Sequence, residues 1–248
     1  MISCLTSSTQ RYARNSFAHQ TPASGKISTV IKPIFGLAKA SGASEPKSLA
    51  AAYGNWSGIR SNHVITQSGK FSGSDGSSRS ISSSEDRELL LEIRSRSDLI
   101  VVDAATARLE QYRTPRSRAR LAIFSLNGDF DGIPAIVDQA NPVFLFSSAA
   151  VTTEQTSSKN VLVQTGSKPF DGFLNWANSN GFSSILLEAG QTLTALAFEA
   201  GVVGQSAITR TPIAASETPE TQRNPFDGEA VLVSFAQSED HSFSLWTH

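Results

Sequence analysis

Three segments of this chain set hydroxyls, carboxylates or glycines where an apolar run hands over to a helical pattern. Gly73–Ser84 is rich in glycine and serine and leads into a helix start. Free amides at such a start bind anions, so the loop around Ser78 is a candidate phosphate grip, or else a surface loop ending in a cap. In Val101-Val102-Asp103-Ala104-Ala105-Thr106-Ala107-Arg108-Leu109-Glu110, an apolar run ends in small residues before a helix. Ligands of open α/β sheets bind just past the carboxyl ends of strands. Ala104 and Ala105 leave room for a bulky cofactor and Thr106 offers a hydroxyl; the plainer reading is an ordinary turn with Glu110 on a solvated face. In Leu186-Leu187-Glu188-Ala189-Gly190-Gln191-Thr192-Leu193, Glu188 ends a buried run and would face a cleft. Gly190 would let a pyrophosphate approach the next helix, or would simply make a turn beside a capping carboxylate. Each segment is weak alone, and their order and common context strengthen the set.

Other chemistries lack their residues. Neither G-x-G-x-x-G nor G-x-x-x-x-G-K-[ST] occurs, nor the G-x-S-x-G elbow. His19, His63, His241 and His248 have no metal-ligand spacing, and Cys4 is the single cysteine. That excludes an internal disulfide, a cysteine-rich zinc site and a zinc deaminase. A formal net charge of -1 gives no basic field for nucleic acid, and no apolar run reaches a membrane-spanning length.

The elements that must position the three segments follow from periodicity. Ser61–Gln67 reads as a short strand, and residues 68–84 as a Gly/Ser loop. Ser82-x-x-Glu85 has capping-box spacing, so a helix is predicted from there to about Ser97, with Leu89, Leu90 and Ile93 apolar. Leu99–Val102 is a continuous apolar run, as expected of a strand buried on both faces, and a helix over Ala104–Gln111 follows. Leu121–Phe124, Val143–Phe146, Val161–Val163, Ile185–Leu187 and Ala207–Thr209 are further predicted strands. Phe170, Phe173, Leu174 and Ala177 recur at helical spacing, and Gln191–Ala200 is a second such stretch. Ala230–Phe235 and Ser242–Trp246 alternate and predict a closing hairpin. Thr211–Gly228, with its prolines and charges, reads as a long loop or a lid. Alternation of strand and helix predicts an α/β fold, a mostly parallel sheet with an antiparallel C-terminal hairpin.

The first 44 residues contain no Asp or Glu and are rich in Ser, Thr and Ala. They read as a poorly ordered tail, or as an organelle transit segment. The start lacks the apolar core of a secretory signal, so a cytoplasmic protein is expected, or an organelle-targeted one. A domain over 55–248 is expected to follow the tail.

The order of motifs resembles the C-terminal reductase domain of the riboflavin-biosynthesis deaminase-reductases, and above all the stand-alone pyrimidine reductases, whose fold is that of dihydrofolate reductase. The likeness runs from about Gly58 to Trp246, and extends back toward Ile31 through KPIFG and EPKSLAAAYGNW. Its most specific stretch is GSDGSSRSISSSEDRELLLEIRSRSDLIVVDAATARLEQYRTP; RLAIFSLNG and LLEAGQTLTALAFEAGVV carry two more motifs. The resemblance implies a three-layer sandwich and a homodimeric, NADPH-dependent reductase of a ribosylamino-pyrimidine 5′-phosphate. It implies a cofactor site of Val64, Thr106, Glu110, Ser125, Gly190, Gln191, Thr192 and Leu193. It implies substrate contacts from Thr66, Ser78, Arg94 and Glu188. Where the family has S-[LV]-D-G, this chain has Thr66-Gln67-Ser68-Gly69, so Ser68 stands in place of the family's Asp. Asp103 adds a charge where the family has a small neutral residue. Two alternatives follow from these departures: a reductase of the same fold acting on another pyrimidine, pterin or carbonyl, or a catalytically silent nucleotide-binding or dimer-forming relative.

Overall fold

The computed structural model describes residues 30–137, 141–151, 159–212 and 218–248. Its strands are β1 (Lys32–Phe35), β2 (Gly58–Thr66), β3 (Leu99–Asp103), β4 (Arg120–Ser125), β5 (Phe144–Ser147), β6 (Val161–Gln164), β7 (Ser184–Leu187), β8 (Val203–Thr211), β9 (Val231–Gln237) and β10 (Ser242–Thr247). Its helices are α1 (Gly36–Ser41), α2 (Pro46–Tyr53), α3 (Ser84–Ser95), α4 (Ala104–Leu109), α5 (Pro134–Val137), α6 (Phe173–Ser179) and α7 (Gln191–Glu199). One sheet holds all ten strands in the order β1-β9-β10-β8-β2-β7-β3-β4-β5-β6. Strands β2 to β8 pair in parallel, while β10 pairs antiparallel with both β8 and β9. The predicted hairpin and the mostly parallel sheet are therefore both present.

Strand β3 shows why there are three layers. Its apolar residues alternate between faces, as strand geometry requires. Leu99 and Val101 join a core with Phe173 and Ala177 of α6 and Leu193 and Ala197 of α7. Ile100 and Val102 join another with Leu49 of α2, Leu89 and Ile93 of α3, and Ala107 of α4. A strand covered on both sides needs no polar face, hence the uninterrupted apolar run.

The structure corrects several boundaries. The acid-free stretch is not all tail: its residues 30–44 include β1, which pairs with β9, and α1, and Ile31, Ala38 and Ala43 are fully buried. Residues 1–29 lie outside the described residues, as do 213–217 of the expected loop or lid. Helix α3 is capped by Ser83 rather than Ser82, its side chain accepting from the Asp86 amide at 3.1 Å. The spacing S-x-x-[ED] fits both Ser82–Glu85 and Ser83–Asp86, so the serine run hid the register. Strands β2 and β8 are each nine residues long, beyond their apolar centres, because ladder pairing carries Gly58 and Thr211 along with them.

Candidate functional site

The three segments singled out above converge at the carboxyl ends of β2, β3 and β7, around a cleft of about 1120 Å³. A smaller cavity of about 420 Å³ adjoins it, sharing Thr106, Gly190 and Gln191.

A trio built around the buried Glu188 forms one wall of the large cleft. Arg94, near the end of α3, donates from Nε to Glu188 Oε1 at 2.8 Å and from Nη2 to Glu188 Oε2, a two-pronged pairing. Tyr112 donates its hydroxyl to Glu188 Oε2 at 2.6 Å and accepts from Arg94 Nη2 at 3.0 Å. Burial works against the Arg94 charge, but the Glu188 carboxylate and Tyr112 outweigh it and hold the guanidinium pKa above its ordinary value. Burial, reinforced by the Glu188 charge, pushes the Tyr112 phenol well up. Arg94 and Glu188, predicted to hold substrate, thus hold each other first.

A second arginine–carboxylate pair closes the serine loop. Glu110 Oε1 accepts from Ser77 Oγ at 3.1 Å, from the Ser78 amide at 3.0 Å and from Ser78 Oγ at 2.9 Å. Arg79 Nε pairs with Glu110 Oε2 at 2.8 Å, and Arg79 Nη2 donates to the Glu110 carbonyl. The resemblance assigned Ser78 to a phosphate and Glu110 to the cofactor. Here the carboxylate occupies the donors that a phosphate would use, because α4 ends with Glu110 directed at the loop.

The cofactor candidates gather around the smaller cavity, which Thr106, Ser125, Gly190, Gln191, Thr192 and Leu193 line. Gly190 caps α7 without any side-chain cap, which leaves the first helix amides open. A Cβ at Gly190 would lie 3.0 Å from Thr106 Oγ1 and 3.2 Å from Asp103 Oδ2, so a larger residue would have to push these side chains aside. Asp103 caps α4 through the Thr106 amide and hydroxyl, both at 2.8 Å, and also accepts from the Gly190 amide at 2.6 Å. Its carboxylate ties the end of β3 to the start of α7 and uses one donor of that start. Ser125 is buried and donates to Asn127 Oδ1 and the Asp129 carbonyl, both 2.9 Å away.

Val64 lines the large cleft, but Thr66 and Ser68 line neither cavity. Thr66 ends β2 and Ser68 sits in the turn after it, where Thr66 Oγ1 lies 3.0 Å from Ser68 Oγ and accepts from the Lys70 amide at 3.0 Å.

Two cleft residues escaped the reading of the sequence. Asp86 is buried beneath the serine loop, accepts from Ser82 Oγ at 2.6 Å, and has its pKa raised by burial against the pull of the Ser82 and Thr209 hydroxyls. His63 is buried between the ends of β2 and β7, its Nε2 3.0 Å from the Ala189 carbonyl and its ring stacked 4.8 Å from Phe71. Burial pushes its pKa down to about 4 despite the Ala189 carbonyl and the Glu188 charge. The only sequence signal for either was polarity inside a predicted strand or helix. Six cationic side chains line the large cleft (Lys70, Arg79, Arg87, Arg94, Arg113 and Arg116) against the three carboxylates Asp86, Glu110 and Glu188, which favours an anionic ligand. Among the described residues, no cluster of His, Cys, Asp and Glu could hold a metal ion, and no helix is long and apolar enough to cross a membrane.

The model of the RibD C-terminal domain family matches residues 59–238. No curated protein matches the sequence. Among solved structures, a pyrimidine reductase-like protein from Corynebacterium diphtheriae superposes with a TM-score of 0.62 at 18% identity, over 82% of this chain and 98% of that one. A diaminohydroxyphosphoribosylaminopyrimidine deaminase/5-amino-6-(5-phosphoribosylamino)uracil reductase from Thermotoga maritima gives 0.62 at 13% identity, over 81% of this chain but 59% of that one. The riboflavin biosynthesis reductase Rib7 from Saccharomyces cerevisiae gives 0.57 at 13% identity, over 77% and 90%. At such identities the likeness establishes a shared fold.

Proposed function

The chain belongs to the RibD C-terminal domain family, and from that premise we propose that it is an NADPH-dependent reductase of a ribosylamino-pyrimidine 5′-phosphate, acting in riboflavin synthesis. The observation that carries the proposal is the pair of adjoining cavities that share Thr106, Gly190 and Gln191. A dinucleotide is a long ligand, and two connected cavities of about 420 and 1120 Å³ match one end of it and its partner substrate.

The smaller cavity fits the diphosphate end of the cofactor. Gly190 keeps the backbone accessible, and the opening amides of α7 point their dipole toward an anion. Because Asp103 already accepts from the Gly190 amide, the donors left for a diphosphate are those of the following residues, Gln191 and Thr192. Arg108 lines the same cavity and is the cation available to a phosphate there, in competition with Asp129 at 3.1 Å. When bound, the cofactor supplies hydride to the sugar C1′, opening the ribose into a ribityl chain.

In the large cleft, the residues of this chain bind and orient the substrate. Glu188 keeps acceptor capacity for sugar hydroxyls because its two oxygens are held in place by Arg94 and Tyr112. Ser78 and Arg94 are engaged by carboxylates, so the substrate phosphate is assigned to the exposed Arg113 and Arg116 on the loop after α4. Positioning of the reacting ring against the sugar carbon is the protein's contribution to the rate. The homodimer and the cytoplasmic or organellar location remain part of this proposal, as does a domain beginning ahead of β2.

The test is binding, then turnover. Millimolar NADPH should raise the melting temperature, since a ligand that binds only the native state stabilises it by mass action. The ribosylamino-pyrimidine phosphate should then oxidise it. No thermal shift would sink the reading; a shift without oxidation by that substrate would move it to a reductase of another pyrimidine or carbonyl, a reading that the occupied Ser78 and Arg94 also favour.

A further inference from the structure

His63 is 7% exposed and lines the large cleft one residue before Val64. Its hydrogen bonds fix its tautomer. Nε2 lies 3.0 Å from the Ala189 carbonyl, which can only accept, so Nε2 carries the proton. Thr194 spends its own hydroxyl proton on the same carbonyl at 3.1 Å, so at 3.1 Å from Nε2 its oxygen can act only as a second acceptor. Nδ1 is therefore a bare lone pair, and it is a buried atom with no hydrogen-bond partner among the described residues. Leaving an acceptor so is costly, and a structure tolerates that where a partner arrives later. The ring is neutral above about pH 4, so Nδ1 stays an acceptor throughout the neutral range.

The surroundings select the shape of that partner. Phe71, from the loop after β2, stacks on the imidazole with ring centres 4.8 Å apart and planes 24° apart. Phe226, from the segment before β9, packs beside both rings, 5.5 Å from each. Neither is anchored in a strand, but Phe226 also stacks on Phe198 of α7 at 4.9 Å, so Phe71 is the ring freer to give way to a flat ligand. The Ala189 carbonyl that orients His63 precedes Gly190, one of the three residues shared by both cavities. A ligand crossing from the smaller cavity into the larger one passes this imidazole.

We infer that His63 reads ligand identity: its Nδ1 accepts a hydrogen bond from an N–H carried on a planar heteroaromatic ring that meets the imidazole edge-on, in its own plane, once Phe71 moves aside. Two ligands of the proposed reductase carry that chemistry, the carboxamide of a nicotinamide and the amino group of an aminopyrimidine. The choice of these two rests on the reductase reading; the acceptor itself does not.

The experiment uses the full chain labelled with 15N-histidine, the His63 signals being assigned by their loss in His63→Phe. Nitrogen spectra are followed while NADPH, or separately 5,6-diaminouracil, is added. Before addition Nδ1 should resonate as an unprotonated ring nitrogen. One of the two ligands should move it upfield, and which one does so names the source. If neither moves it, the inference is overturned, whether or not a melting shift and NADPH oxidation uphold the reductase reading. If that reading fails while diaminouracil moves Nδ1, the inference stands. For the ligand that moves Nδ1, His63→Phe should weaken binding about tenfold, because the stack is kept and the acceptor lost. His63→Asn, whose amide oxygen takes the Nδ1 position, should recover most of that. Equal affinity in all three proteins also overturns it.

Discussion

The two arginine–carboxylate pairs that flank the large cleft differ in their surroundings: the Arg94 and Glu188 side chains are 27% and 5% exposed, whereas Arg79 and Glu110 are 63% and 10% exposed. Arg94 leaves a helix packed against the sheet, and a half-buried tyrosine completes its pairing. Arg79 leaves a loop, and its carboxylate is otherwise held by serines of the same loop. A desolvated pair whose bonds are all made is a fixed wall, because losing either partner strands a charge. A pair open to water on one side is screened and contributes little to global stability, yet it sets where a loop rests. The same two residue types therefore build a rigid surface on one side of a ligand and a latch on the other.

The largest test of that contrast is Arg94→Met. It strands the Glu188 carboxylate and should lower unfolding stability by about 3–5 kcal/mol, read from urea denaturation. A loss below about 1 kcal/mol would make the inner pair no different from an ordinary surface pair. Acid should expose the inner side next. The folded pKa of His63 lies near 4, below its ordinary 6.5, so the unfolded chain takes up the proton first. Stability is then lost as pH falls from about 6.5 to about 4, by about 3 kcal/mol in all, and His63→Phe should remove that part of the slope. An unchanged slope would show that the imidazole is not shielded as the inner wall requires. Glu110→Gln should change global stability by less than about 1 kcal/mol, while the Ser78 amide exchanges with solvent hydrogen at least about tenfold faster. If it unfolds the protein as much as Arg94→Met does, the latch is a wall. Smallest is the effect of salt. Raising sodium chloride from about 0.1 to 1 M shortens the screening length from about 10 to 3 Å and should speed Ser78 exchange alone, leaving amides around Arg94 unchanged.

What the sequence disclosed and what it hid divide along contact range. The uninterrupted Leu99–Val102 run disclosed a strand covered on both faces, and it has helices on both. The three strand-to-helix segments do meet at one edge of the sheet, since parallel strands present their carboxyl ends together. The partners inside the site were hidden. Glu110 meets Ser78 32 residues away and Arg94 meets Glu188 94 residues away, and in sequence each was an isolated polar residue facing a ligand. His63 read as one polar position in a short strand, because the carbonyl that orients it belongs to Ala189, 126 residues on. A still greater distance hid β1, whose pairing partner lies two hundred or more residues downstream and whose composition resembles the stretch before it.

The strand order also dictates a schedule. Both neighbours of β2 in the sheet, β7 and β8, are made late, from Ser184 onward. On the ribosome, the first long strand emerges with two unsatisfied edges and keeps them until the chain has been translated past Thr211. Contacts of such span slow folding and expose sticky strand edges meanwhile. A nascent chain stopped before Ser184 has a half-sheet of β3, β4, β5 and β6 already able to pair, and a β2 that has nothing to pair with. A strand left open so long is a target for holding chaperones, and the yield of folded protein should fall when they are depleted.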